Sequence, residues 1–267
     1  MLSCPVGQLP RSGSGPAMSV LIEGRGITKR FGELIALDGV DITVEAGRSV
    51  GVIGESGSGK TTLVKILLGI LAPDAGSVRF AGQDVTVGGF GQRPWRRDMQ
   101  VVLQDPYSSL AGHMTVNQII AEPIRLLQRR KASDQEIKAL LDEVGLHSQL
   151  ADRYPHQLSG GQRQRVAIAR TLSVSPKVLI ADEPVSALDV TVRAEILDML
   201  GDLIANRDLT LVVVSHDLGV VQRLCPHTIV LNSGQIVEAG PTLELLTEPK
   251  HDVTRALLAA VPKLDES

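Results

Sequence analysis

The apolar residues of this chain follow two spacings in turn. Short, predominantly apolar runs at 49–53, 99–103, 177–181 and 210–215 have the length of strands buried on both faces. Residues 20–23, 41–44 and 77–80 read as further strands, the first two separated by turn material around Phe31-Gly32. Elsewhere the apolar positions recur at three and four, which predicts helices over 62–71, 163–172 and 190–204. Two more such runs, 114–130 with an interruption near Pro123 and 134–144, follow one another without a strand between them. They predict a helical subdomain inserted over about 106–175. Residues 228–231 and 235–238 form a hairpin around Asn232-Ser233-Gly234, and helices over 242–247 and 253–260 close the pattern. Strands alternating with helices make this an α/β chain, patterned over 19–262 with tails at 1–18 and 263–267.

Composition narrows the class. The 267 residues are 43% hydrophobic and 21% charged, a globular balance with length enough for a sizeable core. Aromatics make up only 2%, so Leu, Ile, Val and Ala must fill that core. The net charge, 27 − 30 = −3, gives no reason to expect a nucleic-acid partner. Cys4 and Cys225 are the only cysteines, which leaves no disulfide framework and suits a reducing compartment. No apolar run approaches the ~20 residues that cross a bilayer, so work at a membrane would go through a partner. The first tail is rich in Ser, Gly and Pro, without the apolar core of a signal peptide. It reads as disordered, with Met18 a candidate start.

The chemistry concentrates in Gly54-Glu55-Ser56-Gly57-Ser58-Gly59-Lys60-Thr61, followed by Thr62. A buried strand before it and a helix after it are the context in which this glycine pattern cradles phosphate. The glycines let the backbone amides close around an anion, and the helix dipole points the same way. Lys60 adds a point charge for the β- and γ-phosphates, and the Thr61 hydroxyl suits Mg²⁺. Ser159-Gly160-Gly161-Gln162, again glycines before a helix, makes a second anion-binding N-terminus. Asp182 and Glu183 leave the carboxyl end of a predicted strand, where α/β sheets hold ligand chemistry. Asp182 suits Mg²⁺ through its water shell, and Glu183 suits an attacking water; alone, the pair would also pass for a solvated turn. His216 after another strand is a candidate γ-phosphate contact or a structural histidine. Phe31 is either a stacking platform for a base or a core or hairpin aromatic.

Taken in order, these residues resemble the ATP-binding subunit of ABC transporters over about residues 19–262. The matching set is an aromatic at Phe31, the Walker A loop 54–61, a Q-loop Gln104 and the signature Leu158-Ser159-Gly160-Gly161-Gln162. Walker B with Asp182 and Glu183, a D-loop at 186–189 ending on Asp189, and a switch His216 complete it. The resemblance implies a P-loop, RecA-like core with an antiparallel β subdomain and a helical insertion. It also implies a head-to-tail dimer, either a homodimer or a pair with a sister subunit, binding ATP between Walker A of one subunit and the signature of the other. Ser159, Gly160 and Gly161 would then serve the partner's γ-phosphate. Glu183 would orient water, Gln104 and His216 would sense γ-phosphate and Mg²⁺, and Asp189 would communicate across the interface. Mg²⁺ would be held by Thr61, Gln104 and Asp182.

Within that family the chain looks most like the peptide and nickel importer branch. The matching stretches are Leu103-Gln104-Asp105-Pro106-Tyr107-Ser108-Ser109-Leu110, Tyr154-Pro155-His156-Gln157 running through the signature to Arg163-Gln164-Arg165, and Thr254-Arg255-Ala256-Leu257-Leu258. Ala111-Gly112-His113, Val185 and His251-Asp252-Val253 depart from that branch. Two permease subunits, an extracytoplasmic solute-binding protein and a peripheral place on the cytoplasmic face of the inner membrane are what the branch implies. The surface facing the permeases would include 107–110. The alternative within the superfamily is a non-transport ATPase of DNA repair or translation. Such chains carry zinc insertions, coiled coils or paired nucleotide-binding halves, none of which is present here.

Overall fold

A computed structural model describes residues 19–87, 95–105 and 109–260. The tails at 1–18 and 263–267, and the 107–108 part of the expected permease-facing surface, lie outside the described residues. Two sheets carry the fold. The first has strand order β2-β1-β4-β5, antiparallel, from β1 (Val20–Phe31), β2 (Leu34–Glu45), β4 (Ala75–Phe80) and β5 (Gln83–Asp84). The second, six-stranded, runs β10-β9-β3-β8-β7-β6. Its members are β3 (Val50–Ile53), β6 (Met99–Val102), β7 (Val178–Asp182), β8 (Thr210–Val214), β9 (His227–Asn232) and β10 (Gln235–Pro241). All its pairs are parallel except the β9–β10 hairpin.

The first hairpin is far longer than the apolar pattern indicates. Each arm has 12 residues, joined where Phe31 pairs with Leu34. Register shifts recur from Val20 to Arg30 and interrupt the in–out alternation, so only residues 40–45 of β2 keep a clean period of two. The parallel strands are easier to read. Every residue of β3, β7 and β8 is buried, and along β7 alternate residues enter opposite cores. Val178 and Ile180 pack with β1, β2 and the helix α1 (Lys60–Leu67), while Leu179 and Ala181 pack with the helices from residue 116 onward. A strand covered on both faces has no polar side to alternate.

The inserted helices are α3 (Val116–Pro123) and α4 (Asp134–Glu143); the short α2 (Trp95–Asp98) precedes β6. Pro123 does not break the helix. The chain continues into a π turn, Ile124–Gln128, because proline lacks the N–H and crowds the preceding turn, and a wider helix relieves both. Then come α5 (Gly160–Leu172) and α6 (Val190–Arg207), each capped by a side chain, Ser159 and Asp189 respectively. The α7 helix (Leu218–Leu224), too short to stand out in the pattern, is capped by Asp217. The chain closes with α8 (Thr242–Thr247) and α9 (Asp252–Ala259). Among the described residues, no helix is long and apolar enough to cross a membrane.

Candidate functional site

Register in the parallel sheet decides which residues meet. Val52 and Asp182 both pair with Val214, so three strands end at one level and release Gly54, Glu183 and Ser215 onto the same carboxyl edge. Val102 of β6 pairs with Ala181, which delivers exposed Gln104 to that edge as well. The Glu183 N–H donates to Val214 O at 2.8 Å and the Ser215 N–H to Val52 O at 3.2 Å, tying the strand ends together.

The loop from Gly54 to Thr61 wraps the start of α1. Gly54 has φ 157°, and a Cβ there would lie 2.1 Å from Leu231 O, so the loop presses on β9 where only glycine fits. Unlike α3 to α7, α1 has no side-chain cap at its N-terminus, and its first turn carries no acidic residue to compete with an anion. That leaves a helix start ready for an anion. Lys60 Nζ donates to Gly54 O at 2.6 Å and Glu55 O at 2.7 Å, folded back over its own loop. Ser58 Oγ is buried without a hydrogen-bond partner. Glu55, Ser56, Gly57 and Thr61 are exposed, with Gly59 and Thr62 half-buried.

Charge balance at this edge is strained. Burial pushes the Asp182 carboxyl above its ordinary value, and neighbouring Glu183 pushes the same way; Lys60 and Lys65 partly offset them. Burial likewise pulls Lys60 below the usual ammonium range, against the pull of Glu183 and Asp182. Glu183 itself has φ 50°, a left-handed backbone that costs a non-glycine residue about 1–3 kcal/mol. The turn aims its carboxylate at His216: Oε1 accepts from the His216 backbone N–H at 3.0 Å and lies 2.7 Å from His216 Nδ1. An ionised carboxylate can only accept, so Nδ1 carries the hydrogen.

The second glycine pair lies within the helix, not ahead of it. Ser159 is the N-cap of α5, its Oγ accepting from the Gln162 N–H at 3.2 Å while Gln162 Oε1 accepts from the Ser159 N–H at 3.0 Å. Gly160 and Gly161 occupy the first turn, so the helix begins three residues earlier than its apolar spacing indicates. A Cβ on Gly161 would lie 2.5 Å from Val192 Cγ1 of α6, and one on Gly160 3.6 Å from Leu188 Cδ2. The stretch thus neighbours the turn between β7 and α6 in its own chain. That turn hangs from Glu183 O, which accepts from the N–H and Oγ of Ser186 at 3.3 and 3.2 Å. Asp189 ends it, exposed, with Oδ1 accepting from the Val192 N–H at 3.0 Å.

Residues 37–186 match the family model described as ABC transporter. The chain belongs to the ABC transporter family. It is 46% identical over 229 residues to a peptidoglycan transport ATP-binding protein, YejF, of Agrobacterium fabrum, covering 84% of this chain and 42% of that one. It is 41% identical over 235 residues to the oligopeptide transport ATP-binding protein OppF of Lactococcus lactis, covering 87% of this chain and 74% of that one. It therefore spans less than half the length of YejF. A solved dimeric, post-hydrolysis ATP-binding cassette, MJ0796 with ADP and Pi, superposes with a TM-score of 0.74. That structure is 29% identical, over 83% of this chain and 99% of that one.

Set on this ABC fold, the candidates of the sequence form two groups. Walker A, Gln104, Asp182, Glu183 and His216 share the sheet edge, while the signature and Asp189 share the α5–α6 junction. Phe31 stands at the end of β1, 49% exposed, so the core alternative is excluded. Of the surface expected at 107–110, Leu110 is 4% exposed and belongs to the helical core, which removes it from any docking surface. Three residues of the site were not legible as candidates. Ser215 is buried at the strand end, and its Oγ accepts from the Asp217 N–H at 3.0 Å and lies 3.5 Å from Glu183 Oε2. Asp217 accepts from Arg193 Nη1 at 2.8 Å, linking α6 to the His216 loop. No spacing rule joins residues 193 and 217; only the packing of α6 against α7 does.

Proposed function

We propose that the chain hydrolyses ATP and powers an ABC importer for peptides, nickel or a related small solute. One observation carries the reading. Lys60, Asp182, Glu183 and His216 converge on one sheet edge, with the Glu183 carboxylate fixed against His216 at 2.7 Å. The relatives named above are transport ATP-binding proteins, which favours transport over repair or translation. Work at the cytoplasmic face of the inner membrane would proceed with a second ATPase subunit, two permease subunits and an extracytoplasmic solute-binding protein.

The residues divide the work by their chemistry. Phe31 offers a flat apolar face to the base. The amides of the loop 54–61 and the uncapped start of α1 hold the β- and γ-phosphates, and Lys60 balances their charge. The site fits Mg²⁺: Asp182 is a buried carboxyl short of positive charge, with the Thr61 hydroxyl and Gln104 amide as further oxygen ligands. The ion bound there would neutralise charge developing on the phosphates. Glu183 orients a water and takes its proton as water oxygen bonds to the γ-phosphorus and the bond to the bridging oxygen breaks, yielding ADP and phosphate. His216, held through Nδ1, turns Nε2 towards the γ-phosphate, to which it can donate when the ring carries a hydrogen on both nitrogens. Ser159 and the first-turn amides of Gly160 and Gly161, which the capping box leaves unused, serve the γ-phosphate bound to a partner subunit. Asp189 lies between that signature and Glu183, suited to report closure.

The test uses two variants. Glu183→Gln should cut hydrolysis by about 10²–10⁴-fold while ATP binding persists, trapping an ATP-dependent dimer visible on sizing. If the assembly needs a sister ATPase, that chain is included. Adding Ser159→Arg puts a bulky cation at the signature and should abolish the dimer, leaving ATP bound to the monomer. Loss of monomer ATP binding in a folded Ser159→Arg chain would show the signature acting in its own subunit, and the composite site would be wrong.

A further inference from the structure

Two residues upstream of Phe31, on the same face of β1, lies a lysine that the catalytic scheme does not use. Lys29 Nζ sits 5.7 Å from the centroid of the Phe31 ring, over its face. The side chain is 13% exposed, unusually low for a surface-strand lysine. Its position is fixed by Asp74, whose Oδ1 accepts from Lys29 Nζ at 2.8 Å. The other carboxylate oxygen, Oδ2, accepts from the Arg30 N–H at 2.7 Å, and the Asp74 N–H donates to Thr28 O at 2.8 Å. Asp74 therefore grips residues 28, 29 and 30 together. It belongs to the loop that follows α1, the helix whose start forms the phosphate loop. The clasp ties the end of β1 that bears Phe31 to the segment between α1 and β4.

We infer that Lys29, clasped by Asp74, is a positioning residue for nucleotide binding: its ammonium holds one face of the Phe31 ring and leaves the opposite face for the base. This rests on the reading of Phe31 as the base platform. An exposed aromatic at a hairpin end has two free side-chain torsions, and ordering it costs part of any stacking energy. A cation held over one face removes that freedom before the ligand arrives. The hydrogen bonds from Lys29 and from the Arg30 N–H also keep the Asp74 carboxyl below its ordinary value, so the clasp stays charged at neutral pH.

The experiment separates base contact from phosphate contact by measuring equilibrium binding of ATP and of inorganic triphosphate to the full chain. Lys29→Met should weaken ATP about two- to fivefold and leave triphosphate unchanged. Lys29→Arg, which keeps a cation, should restore ATP binding, and Asp74→Asn should behave like Lys29→Met. Phe31→Ala should weaken ATP by about fivefold or more, and adding Lys29→Met to it should cost nothing further. Equal weakening of ATP and triphosphate by Lys29→Met, or no weakening of either while Phe31→Ala still weakens ATP, would overturn the role of Lys29 alone. An unchanged ATP affinity in Phe31→Ala would overturn the base-platform reading and this inference with it.

Discussion

Asp182 and Lys60 show what the site costs the fold. Both are charged groups drawn from water by the strand ends around them, and each is moved away from its ordinary value chiefly by burial. For Asp182 the sign is clear. Its folded value lies above the unfolded one, so between the two the folded state holds more protons, and stability falls as pH rises through that window. Above it the full cost persists. Asp182→Asn should therefore lose hydrolysis yet melt higher than the parent at neutral pH. The gain should shrink as pH falls to the ordinary carboxylate range, where the parent also becomes neutral. Each 1 kcal/mol recovered would read as about 2–4 °C in a pH series of melting curves. An Asn variant that melts lower at pH 7 would contradict the assignment. Lys60→Ala should likewise abolish hydrolysis with the fold intact, because the loop is shaped by glycines and contacts to β9 rather than by the ammonium. Turnover equal to the parent at saturating ATP would remove the loop from the mechanism.

At the scale of elements, the signature helix is held in place by what its first turn lacks. Gly161 lets α5 and α6 approach until a Cβ would lie 2.5 Å from Val192. Gly161→Ala must push the helices apart and should destabilise the fold by about 1–3 kcal/mol in urea unfolding. Val192→Ala in the same chain should recover most of that loss, since the clash is with the valine γ-methyl; no recovery would place the strain elsewhere. Farther along the same helices, Arg207 forks onto the Glu143 carboxylate and Arg165 reaches Val144 O at 2.8 Å and Glu195 Oε2 at 3.0 Å. These bridges fasten α6 to the inserted α4 and to α5. Arg207→Met should cost about 1–2 kcal/mol and show coupling to Glu143→Gln in a double-mutant cycle, whereas an additive cycle would mean the fork is idle.

Across the whole molecule, the parallel sheet is sealed on both faces, and Cys225 reports on that seal. Burial pushes its thiol up to about 12. In a Cys4→Ser background, a thiol reagent at pH 8 should label the folded chain only as fast as the chain opens, and labelling should accelerate with denaturant in step with unfolding. Rapid stoichiometric labelling of native protein would show that α7 and β9 do not cover the sulfur. Because the folded thiol lies above its unfolded value, its ionisation also draws stability down as pH climbs from about 9 towards about 12.

Much of this was determined by sequence alone, because it depends on neighbours in the chain. The phosphate loop needs glycines, a lysine and a hydroxyl within eight positions, and the short apolar runs at β3, β7 and β8 read as strands buried on both faces. The order of the motifs then identified the family. What the tertiary structure decided depends on residues far apart. The long first hairpin was hidden by bulges that break its alternation. Register brings Glu183 against His216, 33 positions away, and the packing of α6 against α7 brings Arg193 against Asp217, 24 away. The grip of Asp74 on Lys29 spans 45 positions and is set by the pairing of β1 with β4. Strand register is a property of pairs of segments, so it can be seen only once they have met.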